Sequence, residues 1–329
     1  MPSLIVADGA ALQQILDDTY PLWGEGLSRV AYGQWNAAQL RTPWGRTHLQ
    51  RVALVENGRV LASAKRYDLT VQLDGRPVRA LGIGAVFTPE AQRARGYATQ
   101  TIERLCEAAR ADGAQLAMLF SEIGPEYYTR LGFTAVPMTV SDVAVHVGNG
   151  GAPAMLVRAG EESDTAAIAA MHAQQAARYR FSLLPDAAHV SFSIMRRRML
   201  SGLDRTGRRA VEFFVCEEGH QAVAFVLIQL TRHPRAGEAD AWSVAACGDR
   251  DPAGARIGAM LQVLRARMPA ATPPIIRAWW PRGLNPPQLT LLPRASALEV
   301  LMLRPLVPTL RIDPPLTESD VFYWHGDAF

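Results

Sequence analysis

Hydrophobic and polar positions alternate with a period of two from about residue 52 onward, which is typical of half-buried strands. The runs 52–56 and 60–67 flank an Asn-Gly pair at 57–58, which favours the positive φ angles of a tight hairpin turn. An Asp-Gly pair at 74–75 gives a second turn, and the apolar run 81–87 follows it. The pattern therefore predicts antiparallel strands that lead directly into residues 81–87.

The period changes to that of a helix just before residue 100. Ala98, Ile102, Leu105 and Ala109 share one stripe, and Asp-Gly at 112–113 is a plausible helix end. Another apolar run, 115–120, then predicts a buried strand, while residues 11–50 are interpreted as two helices joined by a loop. Strand, helix and strand in this order predict an α/β (α+β) fold with a mixed sheet, antiparallel at first and parallel around the helix.

The segment between the strand at 81–87 and the helix has the composition of an anion site. Small residues, Gly96 and Ala98, allow a ligand to approach the main chain, and Arg93 and Arg95 add positive charge. The unpaired N–H groups of the first helical turn and the helix dipole add to the attraction for phosphate. A simple connection with two solvated arginines is the alternative, because short glycine patterns recur by chance.

Two blocks in this region resemble those of the GNAT superfamily of N-acetyltransferases. One has the form Arg/Gln-x-x-Gly-x-Gly/Ala, and the other has the form aromatic-Tyr-x-x-x-Gly-Phe. The matching residues are Arg93, Gly96 and Ala98, then Tyr127, Tyr128, Gly132 and Phe133. Their order and separation agree with the family, and the resemblance is good over residues 50–140.

The resemblance implies acetyl-CoA as cosubstrate and assigns its binding residues. These are Val86, Phe87, Thr88, Arg93, Ala94, Arg95, Gly96, Tyr97 and Ala98. It also implies Tyr128 as the general acid for the departing thiolate, since a phenol pKa of about 10 lies near or above that of a thiol. A tyrosine that only packs under the sheet is the alternative.

The general base is left open among three residues and a water molecule that relays the proton to bulk solvent. Glu122, just past the strand at 115–120, is the nearest carboxylate, and Glu126 is the second; either could simply cap the following helix. Some tandem relatives in the family place their terminal carboxylate in the active site, which makes Phe329 a third candidate. The aromatic residues Phe322, Tyr323 and Trp324 before it predict a docked tail.

The second half of the chain repeats the pattern of the first without its chemistry. Strand-like runs at 211–216, 222–230 and 241–246 precede a helical run at 257–268, and a linker composition at 149–153 separates the halves. The loop at 250–255 carries Asp251 and Pro252 where a phosphate loop would be, and Asp249 precedes it. We therefore predict a catalytic GNAT domain at 1–150 and a degenerate GNAT-like domain at 151–329.

Composition narrows the functional class. The 329 residues are 49% hydrophobic, with a net charge of +3 and no dense basic run, so nucleic acid is not expected as a partner. The isolated cysteines Cys106, Cys216 and Cys247 predict reduced core residues, and no histidine spacing predicts a metal. No run of apolar residues is long enough to span a membrane, so we expect a cytoplasmic protein. A homo-oligomer is compatible with the sequence.

These observations favour an enzyme that moves an acetyl group from acetyl-CoA to a primary amine by direct attack. A weaker resemblance to fungal lysine N6-acetyltransferases, over 22–28, 42–46 and 86–89, implies a lysine-like small molecule as acceptor. A protein lysine, an aminoglycoside and a longer acyl chain remain open, and so does a non-catalytic acyl-CoA sensor or assembly module.

Overall fold

The computed structural model of the chain describes residues 1–146, 155–233, 238–268, 272–296, 299–327 and 329. The predicted linker at 149–153 lies outside the described residues, and so does the predicted boundary between 150 and 151. The described residues form two sheets, each flanked by helices, in a mixed α/β fold. The predicted fold class is confirmed.

The regular elements are numbered in chain order. The helices are α1 (Gly9–Trp23), α2 (Arg29–Arg41), α3 (Pro43–His48), α4 (Tyr97–Ala111), α5 (Glu126–Thr129), α6 (Thr165–Ala176), α7 (Ala187–Leu203) and α8 (Ala255–Ala266). The strands are β1 (Ser3–Val6), β2 (Leu49–Glu56), β3 (Arg59–Leu73), β4 (Arg76–Phe87), β5 (Leu116–Ser121), β6 (Thr134–Val136), β7 (Thr139–Val145), β8 (Val157–Ala159), β9 (Phe181–Leu183), β10 (Arg209–Glu218), β11 (Gln221–Thr231), β12 (Ala241–Asp249), β13 (Ile275–Trp279), β14 (Leu289–Ser296), β15 (Val300–Pro305) and β16 (Val321–Phe322).

The first sheet has the order β1-β2-β3-β4-β5-β15-β6, with β9 paired to β3 and β16 paired to β9. The hairpins predicted at 57–58 and 74–75 are present as β2–β3 and β3–β4. Strands β4 and β5 are parallel, as expected for strands joined through a helix. The sheet is therefore antiparallel at its start and parallel around α4, as the pattern predicts.

Helix α4 covers this sheet with the predicted stripe. Ile102, Leu105 and Ala109 are buried against Leu81 and Ile83 of β4. The N-terminal region contains three helices where two were predicted. The third begins at Pro43, because the Thr42 hydroxyl caps it by accepting a hydrogen bond from the Gly45 N–H at 2.8 Å.

The second sheet has the order β14-β7-β13-β12-β11-β10-β8. Its hairpin β10–β11 and the sequence of β12 and α8 follow the repeat predicted for the second half. The sheets exchange strands, however: β7 lies in the second sheet, and β15 lies between β5 and β6 of the first. The domain limits 1–150 and 151–329 stay a prediction. Each sheet contains strands from both halves of the chain.

The C-terminal tail docks along both sheets. Strand β16 extends β9, and the side chains of Phe322, Tyr323 and Trp324 are buried, as predicted from their aromatic character. The three cysteines are unpaired and buried. Among the described residues, no helix combines the length and apolar composition that a membrane span requires.

Candidate active site

An opening in the first sheet lies where β4 and β5 stop pairing. Their parallel register runs from Ala80 opposite Leu116 to Ile83 opposite Leu119 and goes no further. The rest of β4, residues 84–87, therefore has no β5 partner, and its main-chain groups on that side are free for a ligand. Val86, Phe87 and Thr88, which the family resemblance assigns to the cosubstrate, lie at or just past this end of β4.

A β-bulge lies at the same place. Ser63 of β3 pairs with Phe87 and Lys65 pairs with Gly84, so two residues of β4 oppose Ala64. Ala85 in the bulge has a φ of 47°, in the left-handed region. A bulge bends its strand and redirects the main chain. The bend thus turns β4 away from the line of β5 where the opening begins.

The predicted anion loop follows directly. Gly96 is the N-cap of α4 with a φ of 77°, and no side chain caps the helix. An added Cβ at Gly96 would meet nothing within 4 Å, so the main chain there borders open space. Arg93 and Arg95 are exposed, and the Arg93 Nε donates to the Thr88 carbonyl at 3.3 Å. The first-turn N–H groups of a 15-residue helix therefore face solvent beside two cations.

Tyr128 reaches the opening from α5. Its ring is buried between Tyr127 and Phe133, with edge-on contacts to both. Burial, helped by the nearby Tyr127 and Glu122, raises the pKa of its hydroxyl to about 12. No hydrogen-bond partner for this hydroxyl is found among the described residues, whereas the Tyr127 hydroxyl pairs with Thr99 of α4 at 3.1 Å. Tyr128 therefore keeps its proton and is free to donate it.

A cavity of about 280 Å³ joins the opening, the bulge and Tyr128, and we call it the central cavity. Its lining is Trp23, Glu25, Tyr32, Trp35, Asn36, Arg51, Lys65, Ile83, Gly84, Ala85, Val86, Phe120, Glu122, Ile123, Tyr128, Glu299 and Phe329. A second cavity of about 540 Å³, on the side of the second sheet, shares Glu25 and Glu299 with it. The three catalytic candidates Tyr128, Glu122 and Phe329 thus meet in one space.

Phe329 enters the central cavity over β4. Its ring packs on Tyr67, with centroids 4.7 Å apart, and edge-on against Phe120 at 5.6 Å. Its main-chain oxygen lies 3.1 Å from where a Cβ of Gly84 would be. Only glycine at position 84 leaves this space open, so the end of the tail rests directly on the strand that borders the opening.

Three carboxylates lie at the wall of the central cavity: Glu25, Glu122 and Glu299. Glu25 pairs with Arg209 at 2.8 Å, and Glu299 approaches His325 at 3.5 Å. Burial raises the pKa of Glu122, and the charges of Glu299 and Glu25 raise it further. Glu122 and Glu126 are both exposed to solvent, but only Glu122 lines this cavity, which separates the two acidic candidates.

Arg51 and Lys65 were not singled out in the sequence. Each lies in a strand, at a position where a charged residue would be expected to face solvent. Both instead face the central cavity, because α2 covers this side of β2 and β3. No local signal in the sequence distinguishes them, since the covering helix meets the strands only in the folded chain.

The equivalent loop of the second sheet is filled by the protein's own carboxylates. Gly254, with a φ of 68°, is the N-cap of α8, as Gly96 is for α4. Asp249 accepts from the N–H groups of Asp251 and Arg256 at 2.8 and 2.9 Å, and its carboxylate pairs with the Arg256 guanidinium at 3.1 Å. An anionic ligand would have to displace a buried carboxylate there.

The described histidine, cysteine and acidic residues form no group of three or more that could hold a metal ion. The residues of the central cavity instead suit acid–base chemistry on an organic substrate: a protonated phenol, carboxylates, and a main chain with free hydrogen-bonding groups.

Comparisons with known proteins agree with this geometry. The acetyltransferase (GNAT) domain family matches residues 26–136, which include β4, the loop, α4 and Tyr128. No curated protein sequence matches the chain.

Solved structures match over nearly the whole chain. A GCN5-related N-acetyltransferase from Anabaena variabilis has a TM-score of 0.68 at 12% identity, covering 93% of this chain and 73% of its own. One from Kribbella flavida has a TM-score of 0.63 at 16% identity, covering 93% and 72%. Saccharomyces cerevisiae N-myristoyltransferase with bound myristoyl-CoA has a TM-score of 0.52 at 9% identity, covering 92% and 82%. At these identities the likeness shows the fold. The family match, over residues 26–136, identifies that part of the chain as an acetyltransferase (GNAT) domain and supports acyl-CoA-dependent N-acyl transfer as its chemistry.

Proposed function

We propose that the chain transfers an acetyl group from acetyl-CoA to a primary amine of a small molecule, by direct attack. The observation that carries the proposal is the opening between β4 and β5, which has Tyr128 and the central cavity on one side. The anion loop at Gly96 lies on the continuation of the same strand.

The residues at the opening fit a coenzyme A diphosphate and its arm. Arg93, Ala94, Arg95, Gly96, Tyr97 and Ala98 form the exposed loop and the first turn of α4, where N–H groups and two guanidinium groups attract phosphate. Val86, Phe87 and Thr88 supply main-chain groups without a β5 partner, of the kind that bind amides or polarise a carbonyl oxygen. When bound, acetyl-CoA supplies the activated acyl group.

Tyr128 acts as the general acid in this proposal. Amine attack forms a C–N bond as the C–S bond breaks, so the sulfur gains negative charge and needs a proton. The Tyr128 hydroxyl holds a proton at neutral pH, because burial raises its pKa to about 12. It therefore donates to the sulfur and is restored by a proton from solvent.

The attacking amine must lose a proton, and two groups in the central cavity are proposed as bases. Glu122 has a raised pKa, which brings it closer to the pH at which a base is most effective. The main-chain carboxyl group of Phe329 lies over Gly84 beside the opening. Glu126 is not retained, since it lies outside the cavity.

The second half is proposed to be a degenerate GNAT-like domain with a structural role. In its loop at Gly254, main-chain N–H groups donate hydrogen bonds to the Asp249 carboxylate. Its strand β15 pairs with β5 in the first sheet. It therefore contributes packing and the second cavity, and no second catalytic site.

The proposal is tested by coenzyme A calorimetry on the full chain and by thiol release from acetyl-CoA across a panel of amines. We expect micromolar binding and turnover with at least one small amine. Binding without thiol release with any amine would favour a non-catalytic acyl-CoA sensor. Absence of coenzyme A binding would refute both the acetyltransferase and the sensor.

A further inference from the structure

Two cations line the inner wall of the central cavity without an acidic partner. Arg51 is only 4% exposed, and its Nη2 donates to Asn36 Oδ1 at 3.0 Å, while Nε and Nη1 have no partner. Lys65 is half-buried and its Nζ donates to Gln39 Oε1 at 3.3 Å. Neither cation forms an ion pair with a carboxylate of the described residues, and the groups that act on their charges are Tyr32, Tyr67 and other cations. Buried charges are normally paired, because an unpaired charge away from water is costly.

Burial also opposes the charge on both groups. It lowers the pKa of Arg51 and lowers that of Lys65 well below its usual range, and the positive charges of Arg51 and Arg196 add to the effect on Lys65. An anion placed between Arg51 and Lys65 would stabilise the charged form of both groups and accept hydrogen bonds from the unpartnered guanidinium nitrogens.

The strand register indicates on which side of the opening such an anion would lie. Arg51 of β2 pairs with Lys65 of β3, and Lys65 pairs with Gly84 of β4, so the three positions form one row across the sheet. Directly paired residues project to the same face. Lys65 is one strand and Arg51 two strands away from Gly84, or about 5 and about 10 Å between Cα atoms.

From this row we infer that Arg51 and Lys65 form a carboxylate subsite for the acceptor. The inference rests on the proposed function, because the amine end must reach the opening beside Gly84. An α-amine sits on the carbon next to its carboxylate and cannot bridge the separation. The acceptor is therefore an amino acid or ω-amino acid that reacts at an amine several bonds from its carboxylate.

The experiment compares lysine with cadaverine, which is lysine without its carboxylate, and with lysine amide. Thiol release is measured for the wild type, Lys65→Met, Arg51→Met and Lys65→Arg, with Arg46→Met as a control that removes an exposed cation outside the cavity. We expect the wild type to prefer lysine over cadaverine in kcat/KM. The preference should fall by about 10- to 100-fold in both methionine variants, mainly through KM for lysine. Lys65→Arg and Arg46→Met should keep the preference.

A preference that survives Lys65→Met and Arg51→Met would overturn the inference, as would equal loss for lysine and cadaverine, which would mean that the cations position Phe329 instead. Thermal melting of each variant identifies any failure to fold. If no amine releases thiol, acyl transfer itself is refuted. Calorimetry of lysine and cadaverine on the coenzyme A complex then decides the subsite separately: tighter lysine binding lost in Lys65→Met supports it, and equal binding overturns it.

Discussion

The main-chain oxygen of Phe329 lies 3.1 Å from the position that a Cβ of Gly84 would occupy. The last residue of the tail and a mid-chain strand thus share one contact at the edge of the opening. Tyr67 Cε2 lies at 3.2 Å from the same point, so the space above Gly84 is closed on two sides.

Gly84→Ala should displace the carboxyl group of Phe329 and lower turnover about 10- to 100-fold, because small misplacements of a reacting group are costly. Coenzyme A affinity should be unchanged, as measured by calorimetry. Gly33→Ala is the control, since a Cβ there meets nothing within 4 Å. Full turnover in Gly84→Ala would remove the Phe329 carboxyl group as a base.

Tyr128→Phe should lower kcat by about 10² or more, because the sulfur then leaves without its proton donor. Coenzyme A affinity should change little, since the buried ring is retained. Tyr127→Phe is the matched control on the same helix, where the lost hydroxyl pairs with Thr99 and not with the cavity. Equal activity of Tyr128→Phe and Tyr127→Phe would exclude Tyr128 as the acid.

The acid side of the pH–rate profile should report Glu122. A base works only when deprotonated, and its raised pKa means that activity is lost, as pH falls, at a higher pH than for an ordinary glutamate of about 4.3. In Glu122→Gln the acid limb of kcat/KM should shift to lower pH or disappear. Glu126→Gln, outside the cavity, should keep the wild-type profile. An unchanged limb in Glu122→Gln would leave the Phe329 carboxyl group as the remaining base.

Gly96→Ala should weaken coenzyme A binding about tenfold, because a left-handed conformation costs about 1–2 kcal/mol for a residue with a Cβ and the loop must rearrange. Gly75→Ala places the same strain, at a φ of 75°, in a turn. Both variants should lose similar stability on urea unfolding, and only Gly96→Ala should lose affinity. Similar affinities would show that the loop conformation does not matter for binding.

Asp249→Ala should reduce the free energy of unfolding by about 2–3 kcal/mol, because it leaves the N–H groups of Asp251 and Arg256 without their buried acceptor, while the Arg256 guanidinium keeps Glu218 as a partner. Asp251→Ala, which loses one hydrogen bond to the Ala253 N–H, should cost about 1 kcal/mol. Urea unfolding measures both. A loss below that of Asp251→Ala would mean that Asp249 does not hold the loop.

The sequence was informative where structure is local. The turn at 57–58 and the helix stripe from Ala98 depend on residues close in the chain, and the structure has both of them. Arg51 and Lys65 were missed because their burial depends on α2, and the place of β15 in the first sheet could not be seen because it is set by long-range pairing. The local pattern of apolar and polar residues does not indicate which distant segment will cover a strand.

The exchange of β7 and β15 between the sheets has a practical consequence for working with this protein. A fragment that stops near residue 146 would lack β15, and the edges of β5 and β6 would then be open to pairing with other chains. The fragment would also contain β7 without its partners β13 and β14, which come later in the chain. We therefore expect neither half to fold when it is expressed alone, and experiments should use the full chain.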